Sequence, residues 1–218
     1  INYARSSQVR DFMVKMTMSK MGEIAMGNYH PAARYNAVLA IGQLDAEPAS
    51  SGANASPPTP LPAGTNALLA ILTRDEIKGV NVPVSAKVGA LVGLQRHARF
   101  GINEQFADQV TQAVLAVIEQ PEPPEDVSRG VHHWMKIQAA RVLAHQHSAG
   151  VTPQVHQALL SLVSDEEMSL DDRVSVVQLL EKIKYEGVAE IDGDQSAWLL
   201  GQLAESVVSK SAKEARDY

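Results

Sequence analysis

Apolar residues recur at intervals of three and four along most of this 218-residue chain, and that spacing is typical of amphipathic helices. The alternation that marks a half-buried strand never persists beyond a few residues. The pattern therefore predicts an all-α fold of nine helices, mostly short. The predicted helical segments are 9–25, 32–44, 67–72, 86–94, 106–118, 131–143, 155–163, 174–183 and 198–208.

Two proline-rich stretches interrupt the helical pattern. Residues 45–64 contain five prolines and almost no bulky apolar side chain before Leu61. We therefore expect a long, mobile and partly extended loop there, with neither a helix nor a central strand. Residues 120–130 form a second break that is acidic as well as proline-rich. Apart from these loops, we expect residues 1–218 to form a single domain. Because the chain opens with Ile1 rather than methionine, we also expect that domain to be part of a longer chain.

Local signals mark several of the predicted helix starts. Pro31, Pro83 and Pro153 each stand near the beginning of an apolar-periodic segment, where the missing N–H of proline does no harm. Ser169 and Asp172 have the spacing of a capping box, in which a hydroxyl satisfies a free backbone N–H. These signals support the helical interpretation.

Composition excludes several classes of function. The chain has no cysteine, which rules out a disulfide scaffold, a cysteine-ligated zinc or iron–sulfur site and a cysteine nucleophile. The net charge of −6 disfavours binding to nucleic acid or to an anionic membrane. No apolar run reaches the roughly 18 residues that a membrane span needs, so we expect no membrane insertion.

Four of the predicted helices share one spacing of charged, small and large residues. Each has a cation, a small residue three positions later and a large aliphatic residue seven positions later. These offsets place the small and large residues on one helical face, where the small one lets a neighbouring helix approach. The cations are about 46 residues apart on average, a period typical of helical repeats. The four sets are Arg34, Ala37 and Ile41; Lys87, Ala90 and Leu94; Lys136, Ala139 and Leu143; and Arg173, Val176 and Leu180.

This pattern resembles the HEAT-repeat (armadillo-like) α-solenoid family, in which the second helix of each pair carries P-x-x-R-x-x-A-x-x-x-L-G-x-L. Residues 31–44 match that motif throughout, with Ile41 in place of leucine, whereas the other three copies are degenerate. The resemblance covers about residues 5–209. It implies a right-handed α-α superhelix of about four HEAT-like helix pairs plus an extra helix.

The resemblance also implies a polar ladder between repeats, built in the family by an aspartate six residues before the cation. In this chain those positions hold other residues, so the ladder should be weak or made of amide hydrogen bonds. The four positions are Asn28, Asn81, Gly130 and Glu167.

The first predicted helix is rich in methionine and apolar around most of its circumference. A helix of this kind is buried on more than one side, so we expect another segment or another subunit to pack on its outer face. A homo-oligomer formed through this helix is one expectation. A copper(I) site is the alternative use of the methionines between Met13 and Met21, because thioethers suit that ion. Adaptable packing is the ordinary use.

Three of the seven histidines suggest a metal-dependent alternative. His145 and His147 are separated by one residue, and a turn at Gly150 would bring His156 back towards them. The alternative function is therefore a histidine-metal-dependent enzyme or metal-binding protein that uses these three side chains. Histidines near a helix C-terminus are also favoured by the helix dipole, without any metal.

Catalytic motifs are missing from the sequence. It has no nucleophile elbow, no phosphate-binding loop, no dinucleotide fingerprint and no His-Glu dipeptide of the kind repeated in HEAT-like di-iron enzymes. A DNA-repair enzyme of the family would need a basic groove with aromatic side chains, which the net charge opposes. We therefore expect neither a catalytic centre, nor a resident metal or cofactor, nor a nucleic-acid partner.

The resemblance implies that the second helices line a concave face, and this face is the candidate binding surface. An exposed tryptophan beside arginines is typical of interaction hot spots, although Trp134 has the alternative role of filling a gap between repeats. We expect a non-enzymatic protein-interaction or scaffolding solenoid. Its partner would be another protein or the remainder of its own longer chain. The candidate residues on this face are Arg96, Trp134, Gln138, Arg141, His145 and Lys182.

Overall fold

The structure is a computed structural model that describes residues 7–52, 55–147, 151–185 and 191–214. Within these ranges it contains nine α-helices and four strands of two or three residues, so the predicted all-α, mostly helical class is confirmed. The helices are α1 (Ser7–Met26), α2 (Pro31–Gly42), α3 (Pro62–Thr73), α4 (Val84–Phe100), α5 (Glu104–Glu119), α6 (Arg129–Gln146), α7 (Pro153–Ser164), α8 (Leu170–Leu180) and α9 (Gly193–Glu214). The strands are β1 (Asp45–Glu47), β2 (Thr59–Pro60), β3 (Glu76–Ile77) and β4 (Val80–Asn81).

The predicted start signals lie where helices begin. Pro31 and Pro153 are the first residues of α2 and α7, and Pro83 is the N-cap of α4. The Ser169 hydroxyl accepts from the backbone N–H of Asp172 at 3.1 Å and donates to the carboxylate of Asp172 at 2.8 Å. The cap of α8 is therefore built largely as the sequence predicts, except that the acid bonds the serine hydroxyl instead of its N–H.

The segment 45–64 is more regular than predicted. β1 pairs antiparallel with β2, and α3 already begins at Pro62, inside the stretch that we expected to hold no helix. Proline is compatible with both elements, because an edge strand and a first helical turn can each lack an N–H donor. Composition misses the ribbon because its anchors lie far away in sequence. Arg96 on α4 and Arg10 on α1 both bind β1.

Contacts divide the chain into two compact units, Ile1–Ala113 and Val114–Tyr218. In the first unit, α2 packs against α1, α3 and α4, and α3 packs against α4. The contact between α2 and α4 is very close at Gly42, where an added Cβ would lie 2.7 Å from the Cα of Gly93. Only glycine permits backbones to approach this closely.

In the second unit, α8 packs against α6, α7 and α9, and α7 also contacts α6 and α9. Leucine and valine side chains from these helices form the core. The leucine side chains of this unit that are almost completely buried are Leu115, Leu143, Leu159, Leu160 and Leu162. The two units thus each have a hydrophobic core of their own.

The repeated small and large residues are buried in both units. All eight positions that the repeat pattern places on the inner helical face are buried, which confirms the predicted orientation of α2, α4, α6 and α8. These positions are Ala37, Ile41, Ala90, Leu94, Ala139, Leu143, Val176 and Leu180.

Three of the four repeat cations are the fourth residue of their helix, and each contacts the end of the preceding helix or the turn after it. Nε of Arg34 donates to the carbonyl of Ala25 at 2.9 Å, and Nε of Arg173 donates to the carbonyl of Val163 at 2.6 Å. Both acceptors are the last residue but one of their helix, where backbone carbonyls lack intrahelical donors. Lys87 instead binds the carboxylate of Asp75 at 2.6 Å. The same kind of polar contact therefore joins α1 to α2 and α7 to α8.

The predicted ladder positions have mixed roles. The second contact of Arg34 is with the backbone carbonyl of Asn81, at 2.6 Å, so this ladder position contributes its main chain. Glu167 forms an ion pair with Arg129 at 2.8 Å, and both of these side chains are exposed. One of these contacts uses a backbone carbonyl and the other an exposed carboxylate.

Candidate interaction surface

An uninterrupted apolar stripe runs along the outer face of α1. Its members are Val9, Phe12, Met13 and Met16, which are 53%, 64%, 50% and 44% exposed. The spacing i, i+3, i+4, i+7 places all four on one face of the helix. Side chains of this size have accessible areas of about 150–250 Å², so the stripe leaves roughly 400 Å² of apolar surface uncovered. We call these four residues the α1 stripe.

The described residues leave much of the α1 surface exposed. Among the described residues of α1, only Ala25 is buried, whereas its apolar sequence predicts burial on more than one side. Beside the C-terminal half of α1 lies a depression of about 570 Å³ that is lined by Met18, Gly22, Met26 and Lys78 among others. Within the described residues, α1 packs against α2 and α3, and the α1 stripe stays exposed beside them.

Arg96 is the candidate binding residue that lies in the first unit, and its guanidinium is engaged within the chain. It forms two 2.8 Å bonds to the carboxylate oxygens of Asp45 and one of 3.3 Å to the carbonyl of Gly42. Its guanidinium carbon also lies 5.2 Å from the centre of the Phe100 ring. Arg96 therefore fastens the β1–β2 ribbon to α4, a role that the sequence did not indicate.

Four of the remaining candidates share one face of α6. Trp134 is 39% exposed, while Gln138 is only 3% exposed and accepts a bond from Nη1 of Arg141 at 3.3 Å. His145 is half-buried in the last turn of the same helix. The structure thus brings these residues together along one helix, with the glutamine buried between more accessible neighbours. The last candidate, Lys182, is exposed just after α8.

The three histidines of the metal alternative lie in different surroundings. His145 and His147 lie at the end of α6, whereas His156 is buried in α7 and bonds the hydroxyl of Ser196 at 2.9 Å. In the ranges that the structure describes, no three side chains of the histidine, aspartate or glutamate type are grouped to hold a metal ion.

The bonds around Ser196 fix the tautomer of His156. The serine hydroxyl donates to the backbone carbonyl of Asp192 at 2.8 Å, so it accepts its second bond from Nε2 of His156. Burial lowers the pKa of His156, which keeps the ring neutral near pH 7. Ser196 therefore donates its proton to a backbone carbonyl, whereas an activated serine nucleophile donates its proton to the histidine.

Among the described residues, three histidines besides His156 are buried, and the sequence singled out none of them: His97, His132 and His133. His97 is completely buried in the first unit, and its Nδ1 lies 2.9 Å from the hydroxyl of Thr65. Burial, with a smaller contribution from Arg96, lowers the pKa of His97 to about 4. The available signal was its position, because residues 90, 94 and 97 continue the buried face of α4 at helical spacing.

Within the described residues, no helix combines the length and the apolar character that crossing a membrane requires. Comparisons of the chain with protein-family models, with curated proteins and with solved structures found no match.

Proposed function

We propose that the protein is a non-enzymatic interaction module built from HEAT-like helix pairs, and that it binds a protein partner through the α1 stripe. The observation that carries this proposal is the exposure of four large apolar side chains in one helical row. The largest apolar patch on a typical monomer is itself about 300–600 Å² and is often functional, and the α1 stripe, at roughly 400 Å², has the size of such a patch.

The geometry of the stripe favours a helical partner. Residues at i, i+3, i+4 and i+7 form the row that a second amphipathic helix covers when two helices pack side by side. Phe12 and the two methionines offer the aromatic and adaptable side chains that are enriched at interface centres. A partner helix would place the α1 stripe in the buried environment that the apolar sequence of α1 requires.

The HEAT-like part of the proposal rests on the repeated polar contact. Arg34 and Arg173 occupy the same position in α2 and α8, and each binds the second-last carbonyl of the helix before it. The burial of the eight small and large repeat residues supports the same repeating helix pair. We propose that these helix pairs stack as a right-handed superhelix, and that the α6 face with Trp134 contributes a second contact area.

Site-specific photo-crosslinking tests the proposed function. A benzophenone amino acid replaces Phe12 in one variant, Trp134 in a second and the exposed Gln178 of α8 in a control. After irradiation in cells that produce the protein, we expect a discrete protein adduct from position 12 and none from position 178. An adduct of twice the chain mass would identify a second copy as the partner.

The same experiment separates the two surfaces. Adducts from position 134 without any from position 12 would overturn the assignment to the α1 stripe and place binding on the α6 face. The absence of adducts at both positions, with folded protein confirmed by circular dichroism, would overturn the interaction function.

A further inference from the structure

A cavity of about 540 Å³ lies within the second unit, where α7, α8 and α9 meet. It is open to solvent on one side, and its volume falls inside the range of about 300–1,000 Å³ typical of small-molecule sites. Half of its ten lining residues carry aliphatic side chains. The aliphatic side chains are Leu160 from α7, Val177 and Leu180 from α8, Ile191 before α9, and Leu200 from α9.

The polar groups of the lining are few and mostly uncharged. The rings of His156 and Tyr185 meet edge-on, with their centres 5.3 Å apart. Nε2 of His156 also bonds the hydroxyl of Ser196. Burial lowers the pKa of His156 and raises the pKa of Tyr185, so both side chains are neutral near pH 7. Among the described lining residues, Glu181 is the one with a formal charge, and it is exposed. The cavity therefore combines an apolar interior with a negative group at its edge.

We propose that this cavity binds a small apolar molecule that is neutral or cationic and contains roughly ten to twenty non-hydrogen atoms. The aliphatic lining provides the burial of apolar surface. Ser196 and Tyr185 offer polar atoms that orient one end of the molecule. The carboxylate of Glu181 selects against anions through like-charge repulsion. This site lies in the second unit and is independent of the proposed protein contact at the α1 stripe.

Fluorescent probes of matched shape and different charge test the site. N-phenyl-1-naphthylamine is neutral and fluoresces in apolar surroundings, and anilinonaphthalene sulfonate has a similar ring system with a negative charge. We expect the full chain to bind the neutral probe saturably, with one molecule per chain and a Kd of tens of micromolar. The anionic probe should bind at least about ten-fold more weakly.

Two substitutions on α8 form a matched pair. Val177→Phe fills the cavity and should reduce the affinity for the neutral probe at least about ten-fold. Gln178→Phe adds the same side chain at the next, exposed position and should leave the affinity unchanged. Glu181→Gln should narrow the difference between the two probes. Leu200→Phe, which fills the cavity from α9, repeats the test if Val177→Phe fails to fold.

Three results would overturn the proposal. The first is an absence of saturable binding to the wild-type chain. The second is unchanged affinity in a folded, cavity-filled variant. The third is loss of binding in Phe12→Ser, since that variant alters only the α1 stripe and would show that the probe binds there.

Discussion

The close approach of α2 and α4 leads to a quantitative prediction for Gly42→Ala. A Cβ at this position would lie 2.7 Å from the Cα of Gly93, which is backbone and cannot move aside without shifting a helix. Overpacking of this kind typically costs about 1–3 kcal/mol. Alanine is favoured over glycine in a helix by about 0.5–1 kcal/mol, and this gain is small at the last residue of α2. We therefore expect a net loss of about 1–2 kcal/mol in the free energy of unfolding.

The matched control is Gly22→Ala in the interior of α1. A Cβ added at Gly22 meets no described atom within 4 Å, so that variant gains the helix propensity of alanine without any clash. We expect it to be more stable than the wild type by about 0.5–1 kcal/mol. The two variants make the same chemical change and should move stability in opposite directions.

Urea unfolding followed by two signals measures the effect. With a slope of about 2 kcal/mol per molar urea, Gly42→Ala should lower the midpoint by about 0.5–1 M. Far-UV circular dichroism reports on both units, whereas tryptophan fluorescence reports on the second, because Trp134 and Trp198 both lie there. The shift should therefore be seen in the dichroism. If Gly42→Ala were stabilised as much as Gly22→Ala, the inferred backbone contact would be refuted.

Three further predictions concern the polar contacts of the core. The pKa of His97 is about 4 in the folded chain and about 6.5 when unfolded, so the unfolded chain binds more protons between these values and stability falls as the pH drops through this window. Urea midpoints should show a loss of about 2 kcal/mol from pH 7 to pH 5; an equally steep loss in His97→Gln would contradict this assignment. Arg34→Met leaves the carbonyls of Ala25 and Asn81 without their donor and should cost about 2–4 kcal/mol; a urea midpoint equal to that of wild type would show that the contact is not needed. Arg96→Ala should increase amide hydrogen exchange in the β1–β2 ribbon, whereas Arg99→Ala, which changes an exposed neighbour, should leave the ribbon protected. Equal exchange in the two variants would show that Arg96 does not anchor the ribbon.

Sequence reasoning predicted the elements of this fold better than their contacts. Helical periodicity is a local property, so the nine predicted segments overlap the nine helices found within the described residues. The buried face of each repeat helix was also local information, because a spacing of three and seven fixes which residues point the same way.

Contacts between distant residues were beyond such reasoning. Arg96 looks like a surface cation in sequence, but Asp45, which lies 51 positions away, binds it on both carboxylate oxygens. The cavity of the second unit is assembled from three helices, and its shape depends on their spacing. The sequence came nearer to predicting the α1 stripe than any other part of the proposed surface. An excess of apolar residues in one helix can be read from the sequence without knowing its neighbours.

The arginine contacts at the helix ends have a consequence for how freely the sequence can vary. The acceptors of Arg34 and Arg173 are main-chain carbonyls, which every amino acid provides. Any residue at position 25, 81 or 163 that preserves the backbone path keeps the acceptor in place. The donor side admits much less change, because no other side chain carries the planar fork of a guanidinium. Each contact therefore constrains the sequence at its arginine end, whereas Ala25 and Val163 are constrained by the burial of their own side chains and not by the bond.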